Sequence, residues 1–326
     1  MAESKGGGVA GVFSSLEDPR QRRGRRHRLG DVIMIAIAAV ICGADGWVEV
    51  EEFGKAKESW LRQRLELANG IPSHDTFARV FGALDAAGFE QCFRQWVRAV
   101  NDLSPGQVVA IDGKTVRRSH DRSRGQAALH LVSAWAAENR LVLGQVAVRD
   151  KSNEITAIPA LLDLLLLAGT VVTIDAMGCQ HEIAKRITSA GGDYVLAVKD
   201  NQPKLSQEVR WLFSHVDHPD YPRLLHDQHQ STEKNHGRIE TRLVQTITDP
   251  MRLRSLDPDG RWPLLQCVAA VHATRQIDGQ TSRETRYFIS SLPGDARVIG
   301  AAVRSHWAIE NSLHWSLDVA FREDES

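Results

Sequence analysis

Long apolar runs are missing from this 326-residue chain. The longest, Val32–Cys42, has eleven residues, and a membrane-crossing helix needs about 20, so no membrane contact is expected. Residues 1–8 contain no basic stretch leading into an apolar one, so no secretory leader is expected either. Cysteine is scarce. The four residues at 42, 92, 179 and 267 lie too far apart for a metal finger or a redox pair, and the expectation is reduced thiols in a cytoplasmic protein. Net charge is also nearly absent. Forty basic side chains against 41 acidic ones give −1, which excludes a histone-like polycation. Contact with nucleic acid would have to come from local patches.

What the chain does have is core material. Hydrophobic residues make up 42%, enough for about two domains at this length. Residues 1–28 read as an arm that turns basic, with seven Lys/Arg against three acids. Arg22, Arg23, Arg25 and Arg26 lie at its centre, either solvated or in contact with phosphates. Residues 29–104 read as helical. Asp31 is placed to cap a helix over 32–41, a second spans about 48–67, Ser73 or Asp75 caps a third, and a fourth runs from about 88 to 100. The pair at 48–85 suits either a DNA-reading helix–turn–helix or an ordinary bundle.

From residue 105 to 326 strands come first, then strands and helices alternate, as in a mixed α/β sheet. Short apolar strands end at Asp112 and at Asp175. Residues 200–296 read as a β-rich insertion, with strands at 238–247, 264–275 and 282–291 and a hairpin signal at Asp278-Gly279. A last helix covers about 297–319.

Residues at the ends of neighbouring strands converge on a crevice. Two carboxylates there repel each other, and a hard divalent cation relieves the repulsion. Taken singly, Asp112 also suits a turn before Gly113, and Asp175 a helix cap. His306, Glu310 and His314 are spaced by four and stack on one face of an α-helix, as a polar surface stripe or a transition-metal site. Trp307 and Leu313 are placed to anchor that helix to the sheet. Lys114, Arg117 and Arg118 form a cationic run beside Asp112, suited to a polyanion or to solvent.

Several segments together resemble one family. Ile111-Asp-Gly-Lys-Thr-Val-Arg-Arg-Ser119, Ala128-Leu-His-Leu-Val-Ser-Ala134, Lys151-Ser-Asn-Glu-Ile155 and Val172-Thr-Ile-Asp-Ala-Met-Gly-Cys-Gln180 are similar to the H-repeat-associated insertion-sequence transposases, members of the DDE superfamily. So are Gly192-Asp-Tyr-Val-Leu196, His236-Gly-Arg-Ile-Glu240, Tyr287-Phe-Ile-Ser-Ser-Leu292 and His306-Trp-Ala-Ile-Glu-Asn-Ser-Leu-His-Trp-Ser-Leu-Asp-Val319. The resemblance implies a ribonuclease H-like mixed sheet with a β-rich insertion, preceded by an α-helical accessory domain. It implies that Asp112, Asp175 and Glu310 are the catalytic, metal-binding triad. It implies two Mg²⁺ ions, with Mn²⁺ as substitute, that help cut the element's ends and join 3′-hydroxyls to target DNA. Arg22, Arg23, Arg25, Arg26, Lys114, Arg117 and Arg118 are then the DNA contacts. The partners implied are double-stranded DNA (terminal repeats and target) and further copies of the chain on that DNA, in the cytoplasm at the nucleoid. Relatives carry Arg four before the Glu and Lys seven after, where this chain has His306 and Leu317. Relatives also continue with a basic segment where this chain stops at Ser326. The alternative expectation is therefore a C-terminally truncated DNA-binding remnant that does not cut.

Overall fold

The structure, a computed structural model, describes residues 9–100, 103–116, 119, 128–148, 154–216, 218–220, 224, 226–235 and 237–323. The chain divides into two compact units: residues 1–102 with 319–322, and residues 103–318 with 323–326.

The first unit is helical. Helix α1 (Leu29–Ile41) starts earlier than expected, after an extended Arg28, so Asp31 lies within its first turn and is buried. The long helix expected over 48–67 breaks at Lys57 into α2 (Trp47–Ala56) and a single turn at Glu58–Leu61. Helix α3 (His74–Ala83) follows Ser73 and buries Phe77 and Val80, and α4 spans Ala86–Val100. The Trp47 ring stacks on Phe77 and Phe81 at centroid distances of 6.4 and 4.8 Å. Phe13 and Leu16 are buried in this core. The segment before α1 is thus no free arm, because its two large apolar residues have a core to enter.

The second unit is built on one nine-stranded sheet. Its strands are β1 (Val108–Thr115), β2 (His130–Ala136), β3 (Leu141–Val148), β4 (Val171–Ile174), β5 (Asp193–Val198), β6 (Asp227–Asn235), β7 (Arg238–Ile247), β8 (Cys267–Ile277) and β9 (Gln280–Ser290). Their order is β3-β2-β1-β4-β5-β9-β8-β7-β6. The first three strands pair antiparallel, while β4 and β5 run parallel to β1. This is the ribonuclease H-like mixed sheet that the resemblance implied. Helix α5 (Glu154–Leu162) packs on β2 and β3, and α6 (His181–Ser189) on β5.

The insertion is not a separate layer. Strand β9 pairs antiparallel with β5, from Val195↔Ser290 to Val198↔Tyr287, so β6–β9 extend the core sheet. Asp278 and Gly279 turn the β8–β9 hairpin with φ of +48° and +77°, as a two-residue turn of the favoured hand requires. Helices α7 (Pro203–Ser214) and α8 (Pro250–Leu256) fill the connections. Helix α9 (Ala296–Ala308) lies across the sheet, its Ala296, Ile299, Ala302 and Val303 packed with Val108, Val171, Val195 and Phe288. The four cysteines are free, and all but Cys42 are buried. Among the described residues no helix is long and apolar enough to cross a membrane.

Candidate active site

Register places two of the carboxylates. Strands β1 and β4 are parallel neighbours with Ile111 opposite Ile174, so Asp112 and Asp175, one residue on, stand at the same level of adjacent strands. Neighbouring strands lie about 4.8 Å apart. Asp112 is still within β1, its side chain 20% exposed. Asp175 is exposed just past β4, where its Oδ1 accepts from the Met177 N–H at 3.0 Å. Capping and a place at the strand end are therefore compatible roles for Asp175.

The third carboxylate comes from the helix across the sheet. Past α9 the chain continues through Ile309–His314 as π-helix and ends in a short α-helix, α10 (Trp315–Val319). The Trp315 N–H reaches the Glu310 carbonyl five residues back. Ile309 and Leu313 are buried with Ala110 and Trp135, which fastens this segment to β1. Trp307 meets the sheet through Arg286 of β9. It is half-buried, with the Arg286 guanidinium 4.2 Å from its ring centroid. Asp112, Asp175 and Glu310 all line one cavity of about 170 Å³, together with Thr173, Lys199, Arg286, His306 and Trp307.

The electrostatics follow from that crowding. Burial pushes Asp112 up to about 7, and the neighbouring Asp175, Glu310 and Glu154 push the same way against a hydrogen bond from the Gly113 backbone. Glu310 is also raised, by burial and by Asp175, while Arg286 opposes the shift. His306 lies deep among protein atoms although part of its ring still faces the cavity. Burial brings it down to about 4, so the imidazole is neutral, and its Nδ1 is 3.1 Å from the buried Thr173 hydroxyl. Of the polar stripe 306–310–314, the two histidines are partly buried while Glu310 is exposed at the mouth of the cavity. Among the described residues no three His, Cys, Asp or Glu groups are placed to enclose an ion, neither in this stripe nor among the three carboxylates.

Beneath Asp112 lies a buried pair that sequence reasoning missed. His130 Nε2 is 2.5 Å from Glu154 Oε1, and His130 Nδ1 is 2.8 Å from the Thr115 hydroxyl. Two of the family-like segments meet here, through His130 and Glu154. No local pattern announces a contact between a strand and the first turn of a helix 24 residues on.

The expected basic contacts fare unevenly. Lys114 is not presented to solvent. Its side chain is 9% exposed and its Nζ lies 2.5 Å from both Asp318 and Glu323, so the amine already has two carboxylate partners from the end of the chain. Arg117 and Arg118 lie outside the described residues. In the first unit Arg22, Arg23, Arg25 and Arg26 are all exposed, and Arg25 also bonds the carbonyls of Arg20 and Asp18 and pairs with the Asp18 carboxylate at 3.5 Å. Sequence reasoning did not single out Lys199 and Arg286, the cations that do line the carboxylate cavity. Through Arg286, Trp307 and Glu310 that cavity runs into a trough of about 430 Å³ between α9 and the insertion strands. Arg238, Arg242, Arg275, Arg286, Arg297 and Arg304 line it against Glu233, Glu240, Glu284 and Glu310. Glu240, buried, holds Arg242 at 2.7 Å and Arg238 at 3.5 Å.

The donor set suits a hard cation. Mg²⁺ takes one or two carboxylates and fills its remaining positions with water and substrate phosphate, so a site completed by substrate does not need three protein groups around each ion. The like-charge crowding on Asp112 is the strain such a cation relieves.

The family model described as Transposase DDE domain matches residues 103–326, and one described as DDE_Tnp_1-associated matches residues 10–97. This chain belongs to the DDE-domain transposase family of insertion sequences. It is 40% identical to the "H repeat-associated putative transposase YhhI" of Escherichia coli K12, over 96% of this chain and 82% of that protein. It is 42% identical to the "Putative transposase YncI" of E. coli O157:H7, over 96% and 80% respectively. It is 47% identical to an "Uncharacterized protein in dhlA 3'region" of Xanthobacter autotrophicus, over 87% and 94%.

Proposed function

We propose that the chain cuts the ends of its element and joins the freed 3′-hydroxyls to target DNA, using Asp112, Asp175 and Glu310 as its catalytic carboxylates. The observation that carries this reading is the adjacency of Asp112 and Asp175 in the β1–β4 register, with Glu310 in the same cavity. The three would hold two divalent ions, Mg²⁺ or Mn²⁺ in its place. When bound, such ions neutralise charge on the attacking and leaving oxygens of an in-line displacement at phosphorus.

The chain's own groups have separable tasks. Lys199 and Arg286 hold the scissile phosphate's non-bridging oxygens, positioning the strand without reading its sequence. The Arg286 guanidinium stands 4.2 Å from the Trp307 ring centroid and bonds Glu284 through Nε at 2.7 Å and Nη2 at 3.0 Å, which limits the rotamers open to it. His306, neutral and tied to Thr173, adds no charge to compete with the cations for the carboxylates. The arginine trough carries the strand away from the cavity, its guanidinium groups held in place by Glu233 and Glu240. Arg22, Arg23 and Arg26 of the helical unit supply further phosphate contacts. The partner is double-stranded DNA, bound by more than one copy of the chain, in the cytoplasm at the nucleoid.

The test is joining itself. DNA ending in the sequences that flank this gene is incubated with the chain, a target plasmid and Mg²⁺ or Mn²⁺. Joined product is expected with a 3′-hydroxyl and not with a 3′-dideoxy end. DNA that is cut but never joined would leave a nuclease, and DNA that is bound but neither cut nor joined would leave the non-catalytic reading.

A further inference from the structure

Near Asp112 stands one side chain that the proposed reaction does not use. His314 ends the π-helical segment, its Nδ1 3.7 Å from Asp112 Oδ2. Its side chain is 13% exposed, and its Nε2 is buried with no hydrogen-bond partner among the described residues. The π-helical turn is the second observation. Such turns are rare and recur at functional sites, because the extra residue re-aims the side chains around it. Here the turn runs from Glu310 to His314. Glu310 lines the carboxylate cavity while His314 reaches the flank of Asp112. Two residues along β1, Lys114 is taken by Asp318 and Glu323. The end of the chain therefore touches β1 twice, a basic ring against the carboxylate of Asp112 and two carboxylates against the amine of Lys114.

We infer that His314 is a positioning residue for Asp112: its Nδ1, 3.7 Å from Oδ2 and just beyond hydrogen-bond distance, closes on Oδ2 as a donor when a divalent cation in the cavity takes Oδ1. This rests on the reading of the three carboxylates as a cation site. Carboxylates that bind metals are themselves held by hydrogen bonds, and loss of such a partner typically costs about 10–100-fold in metal affinity.

The experiment measures Mn²⁺ binding to the full chain without DNA, by the electron-spin resonance signal of free Mn²⁺, for wild type, Asp112→Asn, His314→Ala, His314→Asn and His314→Gln. Asparagine carries its amide close to where Nδ1 stands, and glutamine close to where Nε2 stands. The inference expects His314→Ala to bind about 10–100-fold more weakly than wild type, with His314→Asn recovering most of the loss and His314→Gln little of it. Wild-type affinity in His314→Ala, alongside lost binding in Asp112→Asn, would overturn the inference and leave the cation site standing. Equal affinities for the Asn and Gln variants would also overturn it, and that comparison decides the matter if the alanine variant does not fold. Absence of Asp112-dependent binding in wild type would overturn the cation site itself, and the inference with it.

Discussion

Gly113 and Glu154 leave no room between them for a side chain. A Cβ on Gly113 would stand 2.5 Å from Glu154 Oε1 and 2.8 Å from His130 Nε2. The Glu154 carboxyl cannot swing away cheaply, since it is buried and bonded to His130. Gly113→Ala should therefore destabilise the second unit by about 1–3 kcal/mol through overpacking, lowering Tm by roughly 3–10 °C. The variant should also weaken Mn²⁺ binding, because Asp112 is the preceding residue. Thermal melting checks the first effect, and an unchanged Tm would mean that the His130–Glu154 pair is not held beneath the strand.

Asp112 sets a pH dependence. Its carboxyl lies near 7 in the folded, cation-free chain against about 3.9 unfolded. The folded state thus binds the extra proton between these values, so this group's contribution to stability is full below about pH 4 and is lost as pH rises through 7. Asp112→Asn, which removes the charge, should raise Tm relative to wild type most at pH 8 in the presence of a chelator, by a markedly smaller amount at pH 5, and hardly at all below pH 4. The same reasoning has Mn²⁺ affinity climbing between pH 6 and 8. Equal Tm differences at pH 8 and pH 5 would contradict the crowded-carboxylate account.

Lys114 is tied up by Asp318 and Glu323. Lys114→Ala should cost about 1–3 kcal/mol, less than a fully buried pair because both carboxylates are partly exposed. It should leave the salt dependence of DNA binding unchanged. A slope reduced by about 0.9 would mean that the lysine leaves its carboxylates for a phosphate.

In the helical unit the arginines should separate. Replacing Arg22, Arg23 and Arg26 by alanine should lower the slope of log K against log salt by about 0.9 for each phosphate that these side chains neutralise. Arg25→Ala should change it little, because that guanidinium is held by Asp18 and the Arg20 carbonyl. An equal effect from all four would show that the local bonds of Arg25 give way to DNA.

Where chemistry is local, the sequence was readable. The strand ending before Asp175, the Asp278-Gly279 turn and the alternation of Arg238–Ile247 appear where their residues dictate, whereas β1 runs three residues past Asp112 because its ladder to β2 continues to Thr115. Strand β6 was invisible. Asp227–Asn235 is polar throughout, an edge strand held by its ladder to β7 rather than by an apolar face. The merging of the insertion with the core sheet rests on β5–β9 pairing across about 90 residues, which no periodicity encodes. The partners of Lys114 lie more than 200 residues away. The π-helical turn at 309–314 has the same apolar spacing as an α-helix, so its re-aiming of His314 could not be seen beforehand.

The central claim is that Asp112, Asp175 and Glu310 form one cation-dependent cutting centre. Nicking of supercoiled plasmid in Mg²⁺ or Mn²⁺ tests it most directly, with wild type beside Asp112→Asn, Asp175→Asn and Glu310→Gln and with plasmid binding measured in parallel. The account predicts metal-dependent nicking by wild type, lost in all three variants while each still binds DNA. Nicking that survives in any of the three, or a folded, DNA-binding wild type that never nicks, would contradict it.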